Sequence, residues 1–314
     1  MEFAIETNGL TKSFGAIKAV DNLNLCVSSN SIHGFLGPNG AGKSTTIKIL
    51  VGLLRADSGR AKILGADVKG DDPRTRQKVG YLPELPKFPK HLTGQELLEI
   101  YGQMYGMSRS QLKTVVPKLL ETVGLTGRGK SRIGSYSKGM QQRLGIAQAL
   151  LSDPELLILD EPSIGLDPVG MVEVRDLIKS IASHGRTILL SSHMLYEVEQ
   201  ICTHVTIINH GVSLASGPIE EVTKHLSGKT SIEMEIVNMK DSIEEAIRRM
   251  PFVSSLTRRG RHLSIQLQTK DDVRTQISQL ITSNGGIIVH MAQHGNDLES
   301  VFLQLVSRSE EQTK

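Results

Sequence analysis

The chain has 314 residues, of which 39% are hydrophobic and 22% charged, with a formal charge of +3. That length suits about two domains, and the balance is that of a globular chain rather than a disordered one. The small positive charge gives no reason to expect a nucleic-acid partner.

Cys26 and Cys202 stand far apart and in no metal-type spacing, as expected for reduced core residues of a cytosolic protein. No stretch approaches the ~18 apolar residues of a membrane span. The first residues, with Glu2 and Glu6, show no basic-then-apolar signal pattern. Any service to a membrane is therefore expected from its cytoplasmic face, through another polypeptide.

Taken in order, Phe3–Leu10 and Ala19–Val27 alternate as strands, and Ile32–Leu36 is a short apolar run ending in a Gly-rich turn. A helix is predicted from Ser44. Leu97, Leu98, Tyr101, Met104 and Tyr105 recur at helical spacing, as do Leu112, Val115, Val116, Leu119 and Leu120. Pro117 should end or kink the second of these helices. Leu156–Leu159, Thr187–Leu190 and Val205–Ile208 are continuous apolar runs, as expected of strands buried on both faces of a parallel sheet. Beyond Val222 the pattern changes to strand, helix, strand, helix, strand: Ser231–Val237, then Ile243 to Met250, Leu263–Leu267, Val273 to Ile281, and Ile287–Met291. That order suggests a small α+β domain of ferredoxin-like type. Arg258, Arg259 and Arg261 read as a solvated strand end.

Gly37-Pro38-Asn39-Gly40-Ala41-Gly42-Lys43-Ser44 fits GxxxxGK[ST] between a strand and a helix. Glycines let backbone N–H groups close around phosphate, and the helix N-terminus adds positive potential. Lys43 is expected on the β- and γ-phosphates and Ser44 on Mg²⁺. The strand Leu156–Leu159 ends in Asp160 and Glu161. Asp160 can hold Mg²⁺ through water, and Glu161 falls where an attacking water would sit. The two motifs together define a P-loop NTPase and leave small-molecule kinases and GTPases open.

Ser135-Tyr136-Ser137-Lys138-Gly139-Met140-Gln141-Gln142-Arg143 precedes a helical run, and Met140 lies twenty residues before Asp160 (160 − 140). The segment resembles the signature of the ABC ATPases, whose common form is Leu-Ser-Gly-Gly-Gln. Ser137 and Gly139 match; Tyr136, Lys138 and Met140 depart. This version is similar to that of the ATPases of ABC-2-type exporters, a group that includes drug and polysaccharide exporters. Asp160–Asp167 continues into the loop typical of the family, and His193 lies 32 residues after Glu161 (193 − 161) at a strand end. The ending Asp297–Leu303 is similar to that of the same exporter ATPases and reads as an amphipathic helix packing on the small domain.

The resemblance covers Ile5 to about Val222. It implies a P-loop ABC ATPase core over 1–222 with a helical insert at about 85–150, and an accessory α+β domain over 223–314. It implies ATP and Mg²⁺ as ligands. Phe14 would stack on adenine, and the segment Gly37 to Ser44, with Thr45, would bind ATP. Ser137, Lys138, Gly139 and Met140 would reach the γ-phosphate held by a second chain. Glu161 would polarise the attacking water, with His193 and Lys43 supporting the phosphate. Ser44, Asp160 and Glu84 would attend the metal; Glu84 stands where the family usually has Gln and adds negative charge there. The implied partners are a second ATPase chain, the same or different, and an integral membrane permease, with the chain peripheral on the cytoplasmic face. The rival is a soluble ABC-type ATPase not coupled to transport. Such proteins usually carry two cassettes or a long coiled coil, and this chain has one cassette and no heptad run. The intact Lys43, Asp160, Glu161 and His193 argue against a non-hydrolysing module.

Overall fold

The computed structural model of the chain describes residues 2–70, 73–226, 231–269, 271–294 and 298–312. The chain divides into two compact units, Met1–Pro218 and Ile219–Lys314.

The first unit runs β1 (Phe3–Phe14), β2 (Ile17–Leu23), β3 (Cys26–Ser28), β4 (Ile32–Leu36), α1 (Lys43–Leu50), β5 (Ser58–Ile63), β6 (Ala66–Asp67), α2 (Pro73–Gln77) and β7 (Val79–Leu82). It continues α3 (Gly94–Met104), α4 (Arg109–Thr122), α5 (Lys138–Ala149), β8 (Leu156–Asp160), α6 (Pro168–Ala182), β9 (Thr187–Ser192), α7 (Leu195–Ile201), β10 (His204–Asn209) and β11 (Val212–Pro218). Six strands form one sheet in the order β11-β10-β4-β9-β8-β7. All its neighbours pair in parallel except β10 with β11. Every residue of β4, β8 and β9 is buried, which is why these strands read as unbroken apolar runs rather than alternating ones. A second, antiparallel sheet has the order β2-β1-β5-β6, with β3 on β1. Ile47, Ile49 and Leu50 of α1 share one core with Leu10, Val20 and Ile63 of that sheet and with Ile158 and Leu189 of the parallel one. The helix after the phosphate loop is thereby locked between two layers.

The helical insert is α3, α4 and α5. Thr93 and Ser108 each form a capping box with the residue three further on, Glu96 and Gln111, satisfying the first free N–H groups. Pro117 does not end α4, which runs on to Thr122. Pro117 is exposed, as is Lys113, whose carbonyl has no N–H from Pro117 to accept. Leu112, Val116 and Leu120 bury the opposite face and hold the helix. Cys26 also departs from expectation: it is exposed and free, while Cys202 is free and half-buried.

The buried His33 of β4 places its Nε2 2.8 Å from Thr206 Oγ1 on β10. Burial, helped by the stacked His204 ring, pulls its pKa down to about 3. Unfolded, this imidazole takes a proton near pH 6.5; folded, it does not until far lower. Between those values the unfolded chain binds more protons, so stability falls as pH falls. Moving from pH 7 to pH 5 should cost about 2 kcal/mol through this residue alone. Denaturant unfolding at both pH values should show that difference shrink by this amount in His33→Gln. An unchanged difference would contradict it.

The second unit runs α8 (Ile219–Leu226), β12 (Ser231–Val237), α9 (Asp241–Arg248), β13 (Val253–Arg259), β14 (His262–Leu267), α10 (Arg274–Ser283), β15 (Ile287–His294) and α11 (Leu298–Gln312). Its sheet has the order β13-β14-β12-β15 with every neighbour antiparallel. A β-α-β-β-α-β order with the first and third strands central is the ferredoxin-like arrangement. The strand β13 is absent from the sequence expectation. It is an edge strand in which Leu256 alone is fully buried, so it carries almost no apolar alternation. Ile232, Met234, Leu263 and Ile265 meet Ile243 and Ile247 of α9 and Ile277 and Ile281 of α10 in one core. Leu298 and Val301 of α11 are buried, and that helix contacts α8. Asp297, from the expected C-terminal motif, lies outside the described residues.

Candidate active site

The carboxyl ends of β4, β8 and β9 open on one edge of the parallel sheet, the edge where ligands bind in open α/β folds. The register places Asp160 beside Ser191, and Ser192 beside Leu36. The segments that follow therefore meet: the loop from Gly37, the acids Asp160 and Glu161, and His193.

The loop after β4 depends on two close backbone approaches. A Cβ on Gly37 would lie 2.4 Å from the Ile208 carbonyl oxygen, and one on Gly42 would lie 2.2 Å from that of Ala19. Gly42 also has φ 105°, a region closed to side chains of ordinary residues. With glycine at both, the loop wraps tightly into α1. Lys43 is buried, and its Nζ donates to the Gly37 oxygen at 2.7 Å and the Pro38 oxygen at 3.2 Å. The same ammonium lies 3.3 Å from Glu161 Oε1. Asn39 to Thr45 line a cleft of about 320 Å³ together with Ala19, Glu84, Glu161 and Ile164. Backbone N–H groups at the start of α1 make that cleft a place for an anion.

Glu161 has φ 48°, a strained conformation for a residue with a side chain. Its side chain lines the cleft, with Oε2 2.8 Å from His193 Nδ1. Glu161 is 7% exposed and so sits between an ammonium and an imidazole with little water around it. Asp160 is held differently. Ser191 Oγ donates to Asp160 Oδ1 at 2.6 Å and Ser44 Oγ donates to the same atom at 3.2 Å. Burial raises the Asp160 pKa, and the two hydroxyl donors oppose that shift. Tyr81 on β7, half-buried and facing the charges of Asp160 and Glu84, has its phenol pushed up to about 12 and stays neutral.

The donor set suits magnesium. An octahedral ion with oxygens at about 2.0–2.1 Å separates neighbouring ligand oxygens by about 2.9 Å, close to the 3.2 Å between Ser44 Oγ and Asp160 Oδ1. Among the described residues no group of three or more His, Cys, Asp and Glu side chains could hold a metal by itself.

Two residues that the sequence reading did not single out belong to this constellation. Ser191 Oγ also accepts from the Glu161 N–H at 2.9 Å, so one hydroxyl orients both acids. Glu197 on α7 is buried, has its pKa raised by burial, and is hydrogen-bonded to Ser163 in the loop after Glu161. Ser191→Ala should cut turnover at saturating nucleotide by about tenfold, since it frees the strained Glu161 backbone and leaves a buried donor unpaired. Steady-state kinetics on a variant of unchanged melting temperature checks this, and wild-type turnover would contradict it.

Other expected residues do not line the cleft. Phe14 stands at the end of β1, 52% exposed. Ser137 caps α5, its hydroxyl accepting from the Met140 N–H at 3.2 Å. A Cβ on Gly139 would meet no atom nearer than 4.0 Å, so the start of α5 is open to an approaching group. The Lys138 ammonium lies beside Gly165, 3.0 Å from where a Cβ would stand.

A phosphate loop, a two-acid strand end and a histidine at the next strand define a P-loop nucleoside triphosphatase. The profile of the ABC transporter family matches residues 20–164. The chain is similar to the bacitracin transport ATP-binding protein BcrA of Bacillus licheniformis, 37% identical over 98% of each chain. It is similar to the Nod factor export ATP-binding protein I of Rhizobium sp. (strain N33), 33% identical over 98% of each. It is also similar to the linearmycin resistance ATP-binding protein LnrL of Bacillus subtilis (strain 168), 32% identical over 97% of this chain and 99% of that one. Among solved structures, an ATP-binding subunit of an ABC transporter is 31% identical with TM-score 0.64, covering 71% of this chain and 92% of that one. The ADP conformation of another such cassette is 27% identical with TM-score 0.63, covering 72% and 94%. The chain belongs to the ATP-binding proteins of ABC transporters, and is an ATPase of that family.

Proposed function

We propose that the chain binds Mg·ATP in the cleft around Lys43 and, as one of two head-to-tail ATPase subunits, drives a separate membrane permease from the cytoplasmic face. The observation that carries this reading is the placement of Glu161, a buried carboxylate between Lys43 and His193 at the mouth of the phosphate loop. In the proposed reaction Lys43 leaves its loop carbonyls for the β- and γ-phosphates. The N–H groups from Gly40 to Thr45 hold the phosphate chain. Glu161 accepts the proton of the attacking water, and His193 fixes the rotamer of Glu161 and supports the γ-phosphate. Ser44 and Asp160, with Glu84 nearby, would hold magnesium, which when bound offsets charge on the transferred phosphoryl group. Phe14 stacks on the adenine.

Ser137, Lys138, Gly139 and Met140 act on the nucleotide of the second subunit. The open N-terminus of α5 supports this role, since it wants an anion and does not line the chain's own cleft. ATP binding favours closure and hydrolysis permits opening.

Permease docking falls to the helical insert near Leu85–Tyr105. There Leu85 is 64% and Met104 77% exposed, with Ile100 also open to solvent. Exposed apolar side chains within one stretch of the chain are what a contact surface would need. Among the described residues no helix is long and apolar enough to cross a membrane, in keeping with a peripheral subunit. Export is favoured by the relatives, one of which is named for export and one for antibiotic transport.

Purification from detergent-solubilised membranes tests the reading. It predicts a polytopic protein in the complex and ATPase activity that changes with that partner's presence. An active ATPase recovered entirely without membrane protein would favour the uncoupled alternative.

A further inference from the structure

Phe14 ends β1 at the tip of a two-residue hairpin whose first turn position is Gly15, with φ 61°. A hairpin tip is held loosely unless something else fixes it. Here one face of the ring is covered: Lys12 Nζ lies 5.6 Å from the ring centroid. At 52% exposure the ring keeps its remaining surface open.

The lysine does not move freely. Its Nζ lies 2.6 Å from Asp57 Oδ1, and its side chain is only 16% exposed. The other oxygen, Asp57 Oδ2, accepts from the Ser13 N–H at 2.7 Å. The Asp57 N–H donates to the Thr11 oxygen at 2.9 Å. One aspartate just before β5 thus grips Thr11, Lys12 and Ser13 in turn. It does so where the pairing of β1 with β2 shifts register, on either side of Lys12. The hydrogen bonds from Lys12 and Ser13 hold the Asp57 carboxyl below the usual carboxylate range, so the grip persists at neutral pH.

We propose that Lys12 and Asp57 are positioning residues for base recognition: Asp57 anchors the Lys12 ammonium against one face of Phe14 and so presents the other face to the adenine of the nucleotide. This rests on the reading of Phe14 as the adenine-stacking residue. Neither Lys12 nor Asp57 touches the base. A cation on one face of an aromatic ring is attracted by its π density, and the arrangement fixes the ring before the nucleotide arrives, which removes an ordering cost from binding.

Titration calorimetry on the full chain with ATP and with inorganic triphosphate tests the proposal. Phe14→Ala should weaken ATP by about tenfold or more and leave triphosphate unchanged. Lys12→Met and Asp57→Asn should each weaken ATP by about threefold, again without affecting triphosphate, while turnover at saturating ATP stays as in wild type. Lys12→Arg should restore wild-type affinity. On the Phe14→Ala background Lys12→Met should do nothing further.

Equal losses for ATP and triphosphate would mean that Lys12 acts as a charge on the phosphates, and would overturn the proposal. So would the same Lys12 effect with and without Phe14, or no effect at all while Phe14→Ala is strongly impaired. If Phe14→Ala itself binds ATP normally, the adenine-stacking reading fails and the proposal falls with it.

Discussion

Glu161→Gln is expected to bind ATP with near wild-type affinity while steady-state hydrolysis falls by roughly 10²–10⁴-fold, the scale of a positioned general base. The amide has the same shape as the carboxylate and can keep a contact to His193 Nδ1, which lies 2.8 Å from Oε2 in the wild type. What it loses is the ability to take a proton from water. The strained φ of 48° at this residue is unaffected by the exchange, so the geometry of the strand end should survive. With hydrolysis blocked and binding intact, the ATP-bound dimer should accumulate on size-exclusion chromatography. Turnover close to wild type would reject Glu161 as the base.

Lys43→Ala should act at an earlier stage. The ammonium is 6% exposed and is the cation nearest the Glu161 carboxylate at the phosphate loop. Removing it takes away a donor aimed at the phosphates, and turnover should fall by about 10²–10³-fold, the loss typical of one preorganised donor in a dry site. Affinity for a fluorescent ATP analogue should fall as well, because the lysine holds ground-state phosphate as well as the transferring group. The variant also leaves Glu161 buried with His193 as its remaining ionic partner among the described residues. A lowered melting temperature is therefore expected, and breaking a buried ion pair costs about 3–5 kcal/mol at most. Unchanged nucleotide binding in a folded variant would contradict the phosphate-loop assignment. The two substitutions differ in kind: Glu161→Gln separates binding from hydrolysis, and Lys43→Ala impairs both.

Much of this architecture is legible along the chain because the first unit's parallel strands are buried on both faces. Ile32–Leu36 and Leu156–Asp160 stand out as apolar runs, and each ends in chemistry, the glycine loop in one case and the paired acids in the other. Spacing then carries Ser137, Gly139 and His193. Other features depend on register, which spacing does not encode. Ser191 orients both acids only because the parallel pairing sets it opposite Asp160. Glu197 reaches Ser163 only through the packing of α7. The strand β13 escaped because an edge strand with Ser254, Ser255, Thr257 and two arginines has little apolar face to declare. Pro117 misled in the other direction. The missing hydrogen bond lies between two exposed residues, Lys113 and Pro117, and burial of Val116 and Leu120 outweighs it. The left-handed backbone of Glu161 has no sequence signal at all, since glutamate seldom adopts it.

The central claim is that ATP is hydrolysed at a site shared by two chains, and disulfide trapping tests it most directly. Cys26 is exposed, so the background is Cys26→Ser. Asn39→Cys in the phosphate loop and Ser137→Cys at the start of α5 are both exposed positions, and Glu161→Gln in the same chain holds the nucleotide state. The shared-site account predicts a covalent dimer on oxidation that appears with Mg·ATP and is absent without nucleotide or from either single-cysteine chain. Links confined within single chains, or a dimer that forms equally well without ATP, would contradict it.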